Sequence, residues 1–280
     1  MVEPRTLLGG LAVGESPRWH DRRLWFANWG TEEIVTVDMK GNSEVVAHSP
    51  TTAGYSIDWL PDGRLLMTGK ALLRREADGS LVPHADLSCL SPYGWNEIVV
   101  DGRRNIYANS VGFRFGEEEF RPGIIALVTP GGAVRQVADG LAFPNGMVVT
   151  PDNTTLVVAE SFAGTLTAFD IVPDGSLAHR RVWADTGGDG ICLDADGAIW
   201  CSVVHDGRPA CSRVREGGQV LQRIELERAC FACMLGGEDG KTLFMMVADW
   251  RGVEHMDALF RSRTGQVLTY PAPAPRVGWP

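Results

Sequence analysis

Residues 146–161 read GMVVTPDNTTLVVAES: an apolar run, a turn built around Asp152, and a second apolar run. Short β-branched runs bounded by Pro, Asp and Asn read as two strands joined by a tight turn. The same arrangement occurs in Ser16 onward (SPRWHDRRLWFAN), Ser56 onward (SIDWLPDGRLLMTG) and Glu97 onward (EIVVDGRRNIYANS). It occurs again from Gly190 (GICLDADGAIWCSVV) and from Ala232 (ACMLGGEDGKTLFMMVA). The turns fall at Asp21, Asp62, Asp101, Asp152, Asp196 and Asp239. This spacing of roughly 40 to 50 residues suits a four-stranded blade.

A weaker hairpin follows each copy, clearest from Ile34, Ile125, Leu166 and Ser212 and looser from Ala71. The last copy is followed only by the strand-like Gly265–Pro273 (GQVLTYPAP), so that blade lacks an outer strand. The N-terminal stretch RTLLGGLAVGE from Arg5 resembles RQVADGLAFPN from Arg135 and supplies the missing one. The expectation is an all-β, six-bladed β-propeller with four-stranded blades, closed by the N-terminal strand and forming one domain over residues 1–280. A large β-sandwich fits the equal repeats and the wrap-around end less well.

The composition agrees. The chain of 280 residues carries 44% hydrophobic and 22% charged residues, enough to bury a core, and its 33 Gly and 16 Pro favour turns. A net charge of −9 with no Lys/Arg block excludes a nucleic-acid partner. Residues 1–14 lack a signal-peptide pattern and no stretch approaches ~20 apolar residues, so the expectation is a cytoplasmic protein without a membrane partner. Its six cysteines are expected to be reduced and mostly buried.

In a propeller, the loops entering the first strands surround one mouth of the channel. The entry positions are Glu15, Tyr55–Ser56, Asn96, Asn145, Asp189 and Phe231, and four of the six carry a carboxylate or carboxamide. Oxygen donors of this kind suit a hard divalent cation. A lone Asp or Asn here would merely cap a turn. Recurrence at one repeat position points to a shared polar site.

Gly14–Trp19, Trp95–Asp101, Phe143–Ser161, Gly188–Trp200 and Cys233–Phe244 resemble, in order and spacing, the regucalcin / gluconolactonase / luciferin-regenerating-enzyme family. The resemblance runs from about Glu15 to Tyr270. It implies that Glu15, Asn145 and Asp189 are the protein ligands of one divalent metal ion (Ca, or Zn, Mn, Mg or Fe). It implies that Asn96 lines the channel, contacting the substrate or completing the metal shell, and that the activity is hydrolysis of a small lactone, most commonly a sugar lactone. Asp189 is then the candidate to orient or deprotonate the attacking water. Phosphotriester hydrolysis at the same site, or calcium binding without catalysis, are the competing readings.

Three positions depart from the family pattern. Gly94 stands where regucalcin-like members carry a substrate-binding Arg, Glu97 replaces the usual Asp, and Asn28 replaces an Asp at the end of a strand. The metal ligands carry over; gluconolactone as the substrate does not. Tyr93, Trp95, Phe113, Phe115, Phe143 and Trp29 fall near the mouth loops and read as an aromatic wall, with His205 as a further substrate contact. The loop Ser110–Gly123 is longer than its counterparts, and Glu117, Glu118 and Glu119 read as its solvated tip. The pair Cys230–Cys233 lies in a strand with no second pair for zinc, and no GxSxG elbow is present.

Overall fold

Each of the six quoted segments forms an antiparallel hairpin, and each hairpin grows outward into a four-stranded sheet. The structure, a computed structural model, describes Val2–Trp279. After β1 (Arg5–Leu11), the first sheet runs β2 (Val13–His20), β3 (Arg23–Trp29), β4 (Glu33–Val37), β5 (Ser43–His48). The second runs β6 (Ile57–Trp59), β7 (Leu65–Met67), β8 (Leu72–Arg75), β9 (Leu81–Ala85). The third runs β10 (Glu97–Val100), β11 (Ile106–Ser110), β12 (Gly123–Val128), β13 (Val134–Leu141).

The fourth runs β14 (Pro144–Val149), β15 (Thr155–Glu160), β16 (Thr165–Ile171), β17 (Leu177–Ala184). The fifth runs β18 (Ile191–Leu193), β19 (Ile199–His205), β20 (Arg208–Val214), β21 (Val220–Glu225). The sixth takes β22 (Ala229–Gly236), β23 (Thr242–Ala248), β24 (Gly265–Pro271) and, as its outer strand, β1. These are the blades of a six-bladed β-propeller. The closing strand read from the sequence is present: β1 pairs antiparallel with β24, from Arg5↔Thr269 to Leu11↔Gly265. Between β23 and β24 a short 3₁₀ turn leads into α1 (Met256–Ser262).

The described residues pack as two compact units, 2–53 with Asp189–Val277, and Gly54–Gly188 with Gly278 and Trp279. In the first unit the core gathers Leu24, Phe26, Val37, Trp200, Leu243 and Phe244, all fully buried, and Trp19 stacks on Phe244 at 5.5 Å. In the second, one cluster forms around Val99, Tyr107, Met147 and Leu156 and another around Leu66, Trp95, Ile98 and Ala108. Tyr107 keeps its polar end paired by donating from its hydroxyl to Gly175 O at 2.9 Å, and burial pushes its pKa up. Inner strands are buried on both faces, as in β10 and β15, whereas β5 and β17 alternate or face solvent. That gradient explains why the inner hairpins read as continuous apolar runs and the outer ones faintly.

The six Asp turns all lie between the first and second strands of a blade, though not at one equivalent position. In four-residue-separated turns closed by Asp101 N–Asn105 O and Asp194 N–Ala198 O, both at 2.9 Å, the aspartate opens the turn. Asp62 instead sits two positions into the turn closed by Leu60 N–Arg64 O, as Asp196 does in the turn of the fifth blade. Asp194 is therefore the residue that organises that turn, accepting from Asp196 N (3.0 Å) and Ala198 N (3.1 Å). It also takes Arg213 Nε at 2.6 Å while fully buried, and Asp196 takes the other arm of Arg213 at 2.7 Å.

Removing one member of a buried ion pair leaves the other uncompensated. Asp194→Ala is expected to cost about 3 kcal/mol in urea denaturation, against under about 1 kcal/mol for the more exposed Asp196→Ala. Equal losses would show that the pair does not anchor this blade.

Candidate active site

Where a first strand begins, the antiparallel ladder has not yet closed and backbone N–H groups need other partners. In five of the six blades a polar side chain in or just past the second strand supplies one. Ala12 N donates to Asn28 Oδ1 at 3.0 Å, and Ser56 N to Thr68 Oγ1 at 2.8 Å. Glu97 N donates to Asn109 Oδ1 at 3.3 Å, Ala142 N to Glu160 Oε2 at 2.6 Å, and Asp189 N to Ser202 Oγ at 2.9 Å. These latches fix the backbone at the entry positions, and all five anchoring side chains are buried.

Bulges then aim the side chains. The pairing of β2 with β3 slips between Glu15 and Arg18, and Ser16 adopts a left-handed φ of 49°. The pairing of β14 with β15 slips between Pro144 and Met147, immediately around Asn145. A bulge re-aims the residue it displaces and is common beside active sites. Glu15 is 6% exposed, whereas Asn96, Asn145 and Asp189 are half-buried.

In the second unit, hydrogen bonds join several entry residues. Asn109, through its Nδ2, donates to Asn145 O at 2.7 Å, and Asn96 Nδ2 lies 3.5 Å from Pro144 O. Asn145 Nδ2 donates to Ser161 Oγ at 3.3 Å, and Ser161 Oγ donates to Gly188 O at 2.7 Å. With its Nδ2 so engaged, Asn145 has its amide oxygen on the opposite branch, the atom a cation would take. Carboxylate and carboxamide oxygens are hard donors of the kind a divalent ion takes. Among the described residues no group of three or more His, Cys, Asp and Glu could hold a metal, so a site here relies on the amide oxygens.

The aromatic candidates divide. Phe143 is half-buried beside Asn145 and has a left-handed φ of 62°. Tyr93 is half-buried, its N–H donating to Ser91 Oγ, which pairs with Ser110 Oγ at 2.7 Å at the foot of the long loop. Trp95 is only 2% exposed and packs with Leu66, Leu72 and Ile98, so its ring backs the entry from the core instead of facing a substrate. Trp29 packs with Phe231 and Phe260 around Leu259 of α1. His205 ends β19 at a two-residue turn, half-exposed, with Nε2 3.4 Å from Asp206 Oδ2.

Sequence reading missed the latches, although they stand in the quoted strands as polar residues closing FAN, LMT, YAN, VAE and CS. It also missed Phe120 and Phe162, which join Phe113, Phe115 and Phe143 in one ring cluster. Of the cysteines, Cys89 is exposed and Cys230 intermediate, while Cys192, Cys201, Cys211 and Cys233 are buried free thiols. Burial holds the thiols of Cys192 and Cys201 up in their neutral form. A cleft of about 220 Å³ beside α1, lined by Asp249, Arg251, His255 and Thr264 among others, contains none of the sequence candidates. Among the described residues, no helix is long and apolar enough to cross a membrane.

Gly94 has a structural cause. Its φ is +81°, and a Cβ there would sit 2.7 Å from Gly69 O, which accepts the hydrogen bond of Trp95 N at 2.7 Å. The chain passes too close to its neighbour for any side chain, arginine included.

A six-bladed propeller with polar entry positions defines the class, and comparison with known proteins supplies the family. Residues 13–249 match the SMP-30/Gluconolactonase/LRE-like region, and the chain belongs to that family. Regucalcin of Gallus gallus is 26% identical over 155 residues, 53% of this chain and 50% of that protein, so the match spans about half the relative's length. Two solved structures share the fold with a TM-score of 0.79. One is a calcium-binding protein, regucalcin, from Agrobacterium tumefaciens, 21% identical and covering 98% of this chain and 95% of that one. The other is a luciferin-regenerating enzyme, 16% identical with 98% of both chains covered. A gluconolactonase from Xanthomonas campestris is 22% identical, with a TM-score of 0.76 over 96% of this chain and 89% of its own.

Gly63 offers a control for Gly94, since its φ is +83° and a Cβ there meets nothing within 4 Å. Gly63→Ala is expected to cost about 1 kcal/mol through backbone strain alone. Gly94→Ala should cost roughly 2 kcal/mol more, because backbone must also move. Chemical denaturation of both variants compares them, and equal losses would remove the crowding argument.

Proposed function

We propose that this protein hydrolyses a small lactone, or a similar ester, with the help of one divalent cation held by Glu15, Asn145 and Asp189. Family membership carries the reading: residues 13–249 match the SMP-30/Gluconolactonase/LRE-like region, and the three residues lie in segments that resemble the family's motifs. The local structure supports it: a buried carboxylate on a bulged strand, a carboxamide oriented by Ser161, and a carboxylate whose backbone is latched by Ser202.

A cation bound there supplies Lewis acidity toward a carbonyl oxygen and acidifies a water molecule. Asp189 orients the attacking water and accepts its proton, which sends the hydroxyl oxygen to the carbonyl carbon. Asn96 hydrogen-bonds the ring oxygen or a hydroxyl of the substrate, positioning it for that attack. The ring C–O bond then breaks, and the proton taken by Asp189 passes to the leaving alkoxide. Glu15, almost wholly shielded from water, contributes negative charge that would be costly to bury without a cation or donor beside it. His205 and Phe143 are proposed to contact the substrate, and we read the chain as a single domain acting on a small molecule.

The name of the Agrobacterium relative, a calcium-binding protein, keeps open a binding role without turnover. One experiment separates the two. The purified chain is offered a lactone panel and acid release is followed, first with EDTA and then with Ca²⁺, Mn²⁺, Zn²⁺ or Mg²⁺ restored. Chelation is expected to abolish turnover and add-back to restore it. Glu15→Gln and Asp189→Asn should each lower kcat by about 10²-fold or more and weaken metal binding, with the β circular-dichroism spectrum unchanged. Chelator-insensitive hydrolysis, or full activity in both variants, would defeat the proposal. Metal binding without turnover of any lactone or ester would favour the binding role.

A further inference from the structure

Five phenylalanines from three separate segments meet beside Asn145. Phe113, Phe115 and Phe120 come from the excursion between β11 and β12, Phe143 precedes β14, and Phe162 begins the turn after β15. Phe143 stacks on Phe162 at 4.8 Å and meets Phe115 edge-on at 5.1 Å. Phe113, 3% exposed, is the hub, touching the other four rings at 5.8 to 6.4 Å. The rim is open to water, with Phe115 37%, Phe120 48% and Phe162 52% exposed. Contiguous exposed aromatic surface on one patch marks a binding surface, since folding alone gains nothing from leaving it wet.

The backbone is strained to keep it there. Phe143 adopts its φ of 62° where glycine would cost least, so the ring is retained against the backbone's preference. At the foot of the excursion Gly112 lies so close to Pro122 that a Cβ would come within 2.2 Å of its carbonyl oxygen. The cluster is also fixed to the candidate site. Ser161 N donates to Phe143 O at 3.0 Å, Phe162 N donates to Ala142 O at 3.1 Å, and Ser161 Oγ takes Asn145 Nδ2. Glu160, held by Thr167 and by Arg180, secures Ala142 N in turn.

We propose that this cluster is the wall for an apolar alkyl or aryl arm, making the substrate a hydrophobic lactone or ester and not a polyhydroxylated sugar lactone. The proposal rests on the reading of the site as a lactone or ester hydrolase. Two observations favour a small apolar molecule over other occupants. Gly94 can carry no side chain to recognise hydroxyls or charge, while apolar surface lies beside Asn145. The rim is acidic: Arg114 is paired with Glu117 at 3.3 Å and with Glu118, and Glu119 is exposed beside them. With a net charge of −9, such a rim repels anionic bilayers.

The test uses the intact protein and γ-lactones sharing one ring but differing in tail: γ-butyrolactone, γ-hexalactone, γ-octalactone and γ-decalactone, with gluconolactone alongside. In the unmodified protein kcat/KM should rise roughly threefold per methylene over the first few carbons, and gluconolactone should be the poorest substrate. The double variant Phe115→Ser/Phe162→Ser should lose about 20-fold on γ-decalactone and far less on γ-butyrolactone, flattening the slope. Val182→Ser, which removes an exposed apolar side chain on β17, should keep the slope. Calorimetry with the unreactive lactam 5-hexylpyrrolidin-2-one reads binding without turnover, and the double variant should bind it about tenfold more weakly. If no lactone is hydrolysed but the lactam shows this difference, the wall stands and the hydrolase reading falls. Hydrolysis independent of tail length, equal losses on all lactones, or no difference in lactam binding would overturn the wall. So would a flat slope accompanied by vesicle binding or a dimer that the double variant abolishes.

Discussion

The structure around the candidate site depends on one recurring need: a backbone N–H at the start of a first strand, not yet inside its ladder, must find an acceptor. An unpaired buried amide costs about 1–3 kcal/mol, so the position across from it cannot be apolar. Asn28, Thr68, Asn109, Glu160 and Ser202 meet the need with three different chemistries, carboxamide, hydroxyl and carboxylate. Because the latch comes from the second strand, closing the start of the first strand does not fall to the side chains of the entry residues. Asn109 and Glu160 go further. The first also donates to Asn145 O, and the second gathers Thr167 and Arg180, so a local pairing requirement becomes a network that holds neighbouring loops.

This logic separates what the chain discloses as sequence from what it does not. Inner hairpins such as Gly146–Ser161 are buried on both faces, and their unbroken apolar runs stand out against any background. The closing strand is legible because Leu7, Leu8 and Leu11 carry an apolar pattern that needs a sheet to lie on. The bulges at Glu15 and Asn145 leave no mark, since a slip of one residue is settled by competing packing and not by residue type. The aspartates mark each turn in the sequence, yet Asp101 and Asp194 open their turns while Asp62 and Asp196 sit within them. An Asp satisfies neighbouring N–H groups from either place, so spacing alone does not distinguish the two.

Among the site candidates, polar ones were easier to read than aromatic ones. Glu15, Asn96, Asn145 and Asp189 were found by asking what occupies one repeat position, a question whose answer needs only register. An aromatic residue near a mouth loop serves the core or the ligand equally well in sequence. Burial decides between them, sending Trp95 inward at 2% exposure and leaving Phe115 outside at 37%. Phe120 and Phe162 escaped notice because they lie 42 residues apart in the chain and meet only through folding.

Gly94 and the phenylalanine cluster then fit a single reading of the substrate. Where the resemblance to regucalcin-like members would place an arginine, this chain brings the backbone of Gly94 against Gly69 O and forbids any side chain. Where a polar substrate would need donors, it places five phenylalanines and strains Phe143 to complete them. Either change alone would leave a site poorly matched to any ligand: a lost arginine without new contacts, or an apolar wall opposed by a charge that must be desolvated. Together they are consistent, because removing the cation spares its desolvation as an apolar arm settles against the rings. Asn145 and its Ser161 support would be untouched by such a change, because on the proposed reading they serve the reacting group and not the arm. On the proposed reading, Glu15, Asn145 and Asp189 would serve the reaction while the phenylalanine wall sets the substrate, so one fold could change substrate without changing chemistry.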